Sequence, residues 1–421
     1  MKAIIGKRNG GQPVRIPSSK SLSHRALISA SLAEGTSVIR RIVKNQDTEA
    51  TMRALRSIGV EFEETENNEL IVHGVGRPSL CREKIVDCGE SGSTLRFLIP
   101  LFSLCENEVV FTGHGKLMSR PQTIYEELFQ KQRLLFEKEG DLLRIKGPIQ
   151  SGSYEIQGNI SSQFITGLLF TLPLLNGRSE IRILPPYESK SYVGLTEDIL
   201  EQAGIRFQDQ GERIIIEGES TYRPIDLEID GDDSQAAFFA ELAVTSGHPV
   251  TVYGMRHNSR QGDHVIVSLF EKAGGRSIPV ENGYRFEPGR PIGFEADLSD
   301  CPDLGPALFA MAAACGEESR FTGCERLRIK ESDRIEAMRQ ELEALGASVH
   351  IEKDTVFIKG GPSLKGGVVQ GHNDHRIVMA LSALSPVCEA PLVIEGAEAV
   401  SKSYPDFFRD LQQAGSEVTT E

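Results

Sequence analysis

Residues 19–33 read SKSLSHRALISASLA, and five later stretches repeat the same plan: SGSTLRFLIPLFSL (91–104), ISSQFITGLLFTLPLL (160–175), DDSQAAFFAELAV (232–244), CPDLGPALFAMAAAC (301–315) and HNDHRIVMALSALS (372–385). In each, a small polar residue opens a run of Ala, Leu, Ile and Phe. The openers Ser21, Ser93, Ser162, Ser234, Asp303 and Asp374 stand 72, 69, 72, 69 and 71 residues apart. A period held this closely along a whole chain marks an internal repeat. Ser and Asp are strong N-caps, because the side-chain oxygen accepts an N–H that the first helical turn leaves without a partner. The runs behind them are apolar on nearly every face, so each is predicted to be a buried helix.

A second, amphipathic helix follows in most units: 47–59, 194–204, 263–275, 333–346 and 404–415. These end at Gly59, Gly204, Gly274, Gly346 and Gly415, glycine being the preferred residue for the left-handed position after a helix. The second unit departs from this, with LFQKQRLLFEKEG (128–140) and no early glycine. Short β-like runs come next: VEFEE, ELIVHG, LLRIKG, IRFQD, RIIIEG, SVHIE and TVFIKG. Each unit therefore reads as βαβαββ. A solenoid scaffold is the alternative, but solenoid periods are shorter, roughly 20–50 residues, and their ends carry polar caps. Six long units instead predict an α/β (α+β) protein of two similar domains with three repeats each.

Composition removes other classes. The 421 residues carry 60 acidic against 46 basic side chains, a net charge of −14, which argues against a nucleic-acid surface. No apolar run approaches the roughly 20 residues a membrane span requires; Ala307–Cys315 is the longest. The N-terminus, MKAIIGKRNGGQPVRI, lacks a signal peptide's apolar region, and the seven cysteines form no CxxC pair. A cytoplasmic protein with free thiols is expected.

The chemistry-bearing residues gather at the helix openings. Ser18, Ser19, Lys20, Ser21 and Arg25 lie at the first, Gly92, Ser93, Thr94 and Arg96 at the second, and Ser161, Ser162 and Gln163 at the third. Capping accounts for one hydroxyl per site; doubled hydroxyls with Lys and Arg suit the oxygens of phosphate or carboxylate, which helix N-termini also attract. Further on come Lys330-Glu-Ser-Asp-Arg334, Asn373-Asp-His-Arg376 and Lys402. Arg376 leads into an apolar helix, where an unpaired cation is costly, so an anionic partner is expected for it. Asp303 and Glu331 are the carboxylates available for proton transfer. A P-loop, a GxSxG elbow and a GxGxxG fingerprint are all absent from the sequence. His372 and His375 lack a third ligand nearby, and Arg376 would repel a cation, so no metal and no cofactor are expected.

Taken together, SKSLSHR (19–25), GESGSTLR (89–96), RP (120–121), SSQF (161–164), SKSY (189–192), PD (302–303), KESDR (330–334), NDHR (373–376) and K-x-YPDFF (402–408) resemble the 5-enolpyruvylshikimate-3-phosphate synthases, or 3-phosphoshikimate 1-carboxyvinyltransferases, of the enolpyruvyltransferase family. The resemblance runs along nearly the whole chain. It implies an inside-out α/β barrel for each domain, two crossovers, a first domain of residues 1–18 with 231–421, a second of 19–230, and substrates bound between them. It also implies a monomer that takes small-molecule substrates and transfers the enolpyruvyl group of phosphoenolpyruvate to the 5-hydroxyl of shikimate 3-phosphate, on the route to chorismate. Closure of the domains on the two anions is expected with it.

By the same resemblance, Lys20, Ser21, Arg25, Ser161, Ser162, Gln163, Ser189, Tyr192, Asp303 and Lys330 hold shikimate 3-phosphate. Lys20, Gly92, Arg120, Gln163, Arg334, Arg376 and Lys402 surround phosphoenolpyruvate. Asp303, Glu331 and Lys20 move the protons. Four positions depart from the family pattern: Ser18 stands for a usual Gly, Glu90 for Asn, Ser93 for Thr, and Arg326 where some members carry Asn. Glu90 is expected to pair with a neighbouring cation. The UDP-N-acetylglucosamine enolpyruvyltransferases are the nearest alternative, but they carry Lys-Asn at Lys20-Ser21 and a Cys in the loop that reads HGKLMSRP here (114–121). An RNA 3′-terminal phosphate cyclase conflicts with the acidic charge. A non-catalytic anion-binding protein conflicts with carboxylates set among the cationic motifs.

Overall fold

In the computed structural model, which describes residues 1–66 and 69–421, all six predicted buried helices form and each is followed by a second. The pairs are α1 (Lys20–Ser31) and α2 (Gln46–Arg56), α3 (Gly92–Phe102) and α4 (Thr123–Lys131), α5 (Ser162–Thr171) and α6 (Lys190–Gln202), α7 (Asp233–Ser246) and α8 (Ile266–Lys272), α9 (Gly305–Ala313) and α10 (Arg334–Ala344), and α11 (His375–Leu384) and α12 (Phe407–Gln413). The side-chain caps of the buried helices are Ser19, Ser91, Ser161, Asp232 and Asp374. Four of these lie one or two residues ahead of the expected openers, because the capping oxygen must reach forward to an N–H in the first turn. Asp303 does not cap α9. It sits in a 3-10 turn, Pro302–Leu304, with its carboxylate occupied by arginines.

The second repeat supplies the helix that its sequence obscured. α4 ends by Gln132, and Arg133 adopts φ 59°, the left-handed position that Gly59, Gly204, Gly274, Gly346 and Gly415 fill elsewhere. The backbone bonds agree: Leu134 N–H reaches Phe129 O as Val60 N–H reaches Leu55 O. A residue with a Cβ pays about 1–2 kcal/mol there, and Arg133 carries that cost.

Among the described residues the strands form six four-stranded sheets, each with one parallel and two antiparallel pairings. Two sheets reveal how the chain crosses over. Strand Asp226–Glu228 pairs parallel with Gly35–Arg40, giving the α1 repeat its first strand from far along the chain. Strand Val14–Arg15 pairs parallel with Val250–Tyr253 and does the same for the α7 repeat. Lys2–Arg8 completes the last sheet, between Leu392–Glu395 and Ser416–Thr420. The chain accordingly divides into two compact units, Met1–Pro17 with Asp230–Glu421 and Ser18–Ile229.

Each unit has its own core. In Ser18–Ile229 the core is built on α1, α3 and α5, with Leu27, Leu95, Phe97, Phe164 and Leu168 fully buried. In the other unit α7, α9 and α11 do the same through Phe239, Leu308, Met311 and Leu381. Burying one such side chain contributes about 1.5–3 kcal/mol. α3 and α5 touch closely because Gly167 has no side chain; a Cβ there would stand 2.3 Å from the Tyr125 hydroxyl and 2.5 Å from Arg96 O. The same hydroxyl repairs a gap in α3. Pro100 has no N–H to give to Arg96 O, and Tyr125 O–H donates to that carbonyl at 2.7 Å. All seven cysteines are buried free thiols. Among the described residues no helix is long and apolar enough to cross a membrane.

Candidate active site

In the unit Ser18–Ile229, the first turns of α1, α3 and α5 bring together most of the polar residues singled out in the sequence. Arg96, from the first turns of α3, donates to Gln163 Oε1 at 2.9 Å and to Pro121 O at 3.0 Å, and lies over the Phe164 ring. Gln163 turns its amide N–H to the Ser93 hydroxyl at 3.0 Å. Arg120 and Gln163 converge on Gly92, where a Cβ would fall 2.9 Å from Arg120 Nη1 and 3.5 Å from Gln163 Oε1. A Cβ at residue 92 would therefore push the Arg120 guanidinium aside. Ser161 caps α5, Ser162 begins it, and both are buried.

α1 contributes two cations with different environments. Lys20 Nζ pairs with Asp47 Oδ2 at 3.0 Å. Arg25 is buried, donating to Thr196 Oγ1 at 2.8 Å, Ser21 O at 2.8 Å and Tyr192 O at 2.7 Å, and it stacks over Phe97. Burial lowers its pKa to about 10, so it remains a cation at neutral pH. Between them, His24 is held neutral: burial, then the charges of Lys20 and Arg25, push its pKa well below the ordinary imidazole value. His24 Nδ1 bonds Thr51 Oγ1, which bonds Thr94 Oγ1, which donates to Ser91 Oγ, linking α1, α2 and α3 through buried hydroxyls. Ser189 is buried at the start of α6 with φ 54°, a strained backbone conformation, and its carbonyl accepts from the Tyr192 N–H at 3.2 Å.

In the other unit, Arg334 is the hub. Only 1% of its side chain is exposed, and it donates to Asp374 Oδ2 (2.9 Å), Asp303 Oδ1 (2.9 Å) and Glu331 Oε2 (2.7 Å). Burial alone would lower its pKa; Asp374, Glu331 and Asp303 outweigh burial and raise it. For Asp374 burial acts upward, and the Arg334 charge more than reverses it, so this carboxylate stays ionised. Arg376 donates to Asp303 Oδ2 at 2.9 Å, Asp303 O at 3.1 Å and Ser234 Oγ at 3.0 Å. Lys330 Nζ stands 3.5 Å from Asp303 Oδ1. Asp303 is thus touched by three cations. Lys402 is buried and donates to Asn373 O at 2.7 Å. His372 and Asn373, both in the left-handed region, turn the chain so that this carbonyl is presented beside the Asp374 cap.

A family model described as EPSP synthase (3-phosphoshikimate 1-carboxyvinyltransferase) matches residues 7–411. The chain belongs to the EPSP synthase family. The 3-phosphoshikimate 1-carboxyvinyltransferase of Clostridium kluyveri is 44% identical over 408 residues, covering 96% of this chain and 95% of the relative. That of Clostridium novyi is 41% identical over 426 residues, covering 99% and 97%. Among solved structures, the EPSP synthase of Acinetobacter baumannii matches with a TM-score of 0.81 at 26% identity and covers 100% of both chains.

Every EPSP synthase residue expected from the sequence can be placed within its own unit. Gly92, Arg120 and Gln163 meet, with Ser161 at the same helix end, and Lys20 pairs with Asp47. Arg25 joins Ser21 and Tyr192. Asp303, Lys330, Glu331, Arg334 and Arg376 form one cluster. The anionic partner expected for Arg376 is Asp303 of its own unit, an ion pair that the spacing of 73 residues does not reveal. Glu90 has its carboxylate against Gly115, where a Cβ would come within 2.6 Å of Oε2. The residues given no role in the sequence reading are those that hold others in place: Asp47 for Lys20, Arg96 for Gln163, Asp374 for Arg334 and Ser234 for Arg376. In the sequence Asp374 and Ser234 show only as helix openers, and Arg96 only as a cation at a helix opening. Only Ser234 carried a local signal, as a second polar residue beside the Asp232 cap.

Proposed function

We propose that this chain catalyses the EPSP synthase reaction, transferring the enolpyruvyl group of phosphoenolpyruvate to the 5-hydroxyl of shikimate 3-phosphate with release of phosphate, and so serves the shikimate pathway to aromatic amino acids. Family membership, and relatives of that name along nearly the full chain, support it. The observation that carries the chemistry is Asp303, an acid held among Lys330, Arg334 and Arg376. A carboxylate so placed can take a proton beside groups that bind anions.

In this reading Ser21, Arg25, Ser161, Ser162, Gln163, Ser189, Tyr192 and Lys330 bind shikimate 3-phosphate, and Lys20, Gly92, Arg120, Gln163, Arg334, Arg376 and Lys402 bind phosphoenolpyruvate. Arginine supplies paired N–H donors matched to carboxylate and phosphate. Asp303 takes the proton of the 5-hydroxyl as that oxygen bonds to C2 of phosphoenolpyruvate. The C2–C3 π pair takes a proton at C3 from Glu331 or Lys20, giving a tetrahedral phosphate-bearing intermediate with a methyl group. The C2–O bond to phosphate then breaks, the phosphate leaving with the electron pair and with the proton Asp303 had taken; a C3 proton returns to the group that supplied one, and its bonding pair restores the double bond in the product.

The test is phosphate release by the intact chain with each substrate omitted in turn, with UDP-N-acetylglucosamine as an alternative acceptor, and with the Asp303→Ala variant. Release that needs both shikimate 3-phosphate and phosphoenolpyruvate, and that falls by about a hundredfold or more in the variant, is expected. Release with UDP-N-acetylglucosamine instead would move the chain to the other acceptor class. Substantial turnover in Asp303→Ala would remove its role as base.

A further inference from the structure

Behind the first turn of α7, on the unit that contains Arg376, lies a titratable group that no substrate role claims. Asp233 is fully buried, and its Oδ2 accepts from His264 Nδ1 at 3.0 Å. His264 comes from the 3-10 turn Gly262–Val265, and its Nε2 lies 3.5 Å from the Tyr284 hydroxyl, whose ring also packs edge-on against it. The bond to a carboxylate requires the proton on Nδ1, which sets the tautomer. The same loop ties down the chain just before α7 a second time, through Gln261 Nε2 to Gly231 O at 2.7 Å. Next along α7 is Ser234, whose hydroxyl accepts from Arg376 Nη2 at 3.0 Å and donates to the Asp232 cap.

We infer that Asp233 and His264 are a positioning pair for Arg376, fixing the first turn of α7 so that the Ser234 hydroxyl stays on its guanidinium. The inference rests on the reading above that Arg376 binds phosphoenolpyruvate. A buried carboxylate that loses its partner is strongly unfavourable, so without His264 the turn would rearrange or Asp233 would take up a proton. Burial, and secondarily the charge of Asp232, press in that direction already; His264 and Ser259 oppose it. The charged groups around the pair are Asp232 beside it on α7, Asp263 beside His264, and Arg376 beyond Ser234.

Steady-state kinetics on His264→Ala, His264→Gln, His264→Asn and Arg376→Gln test this. Asn can place an N–H where Nδ1 stood, whereas Gln places one nearer Nε2. The Ala and Gln variants should raise KM for phosphoenolpyruvate about tenfold and leave KM for shikimate 3-phosphate within about twofold, while Asn restores the parent value. A phosphoenolpyruvate KM unchanged in both Ala and Gln, an equal rise in both KM values, or failure of Asn to rescue would overturn the pair's role. If His264→Ala does not fold, the contrast of Gln with Asn decides. Arg376→Gln separates the two levels: no rise in its phosphoenolpyruvate KM defeats the functional reading itself, whereas a rise there with silent His264 variants defeats the positioning pair alone.

Discussion

Lys330 has 24% of its side chain exposed, yet its ammonium is pressed toward neutrality. Burial is the main cause, opposed by Asp303 and aided by Arg326 and Arg334, and the outcome is a pKa lowered to about 8. The cation is present below that value and is lost as pH rises through it. If Lys330 meets the substrate phosphate, KM for shikimate 3-phosphate should rise above about pH 8, and Lys330→Arg, with its far more basic guanidinium, should flatten the rise. A flat profile in the parent, or the same rise in the arginine variant, would detach Lys330 from that substrate. At this scale the sequence was informative about which residues carry charge and poor about their partners. KESDR and NDHR announce Arg334 and Arg376, and Glu331 stands three residues from Arg334 in the same motif, but its other two carboxylates, Asp303 and Asp374, lie 31 and 40 residues away along the chain. Such convergence is a product of packing, and no local spacing encodes it.

Elements were legible where a cap or a terminating glycine punctuated them. α2, α6, α10 and α12 end where Gly59, Gly204, Gly346 and Gly415 say they should. α4 escaped because Arg133 takes the left-handed position without glycine's signature. Asp303 matches a cap by residue type and position, yet two arginines far along the chain take its oxygens instead. α7 contains a further departure from its pattern. Glu241 is completely buried there, neither carboxylate oxygen has a hydrogen-bond partner among the described residues, and burial raises its pKa well above the ordinary glutamate value. At low pH the folded and unfolded states both hold the proton. As pH rises past the unfolded value, only the folded state keeps it, and this site's contribution to stability is progressively lost until the folded pKa is passed. Glu241→Gln has no such proton to release. Its melting temperature relative to the parent should therefore climb between about pH 5 and about pH 8; a difference that stays constant across that range would show that Glu241 is ionised in the fold.

On the scale of the whole molecule, the repeat explains both the length and the discontinuity of the units. Six four-stranded sheets share one strand order, and the exchange of single strands, Asp226–Glu228 and Val14–Arg15, gives each unit its full set. The sequence showed the period through its helices, since 3.6-residue apolar runs of ten or more are hard to mistake. Two-residue and three-residue strands such as Val14–Arg15 carry no pattern of their own, so the strand exchange was not readable from them. The charge of −14 likewise argues against a nucleic-acid surface without disclosing the cationic residues at the helix openings. In the reading proposed above, those residues serve addition followed by elimination, in which the methylene of phosphoenolpyruvate becomes a methyl group and then a methylene again. Running the reaction in D2O and reading the product's vinyl protons by NMR tests that sequence directly. Deuterium at C3 of the enolpyruvyl group, formed only when both substrates are present and in step with phosphate release, is the predicted result. A product whose vinyl group carries no solvent deuterium would contradict it.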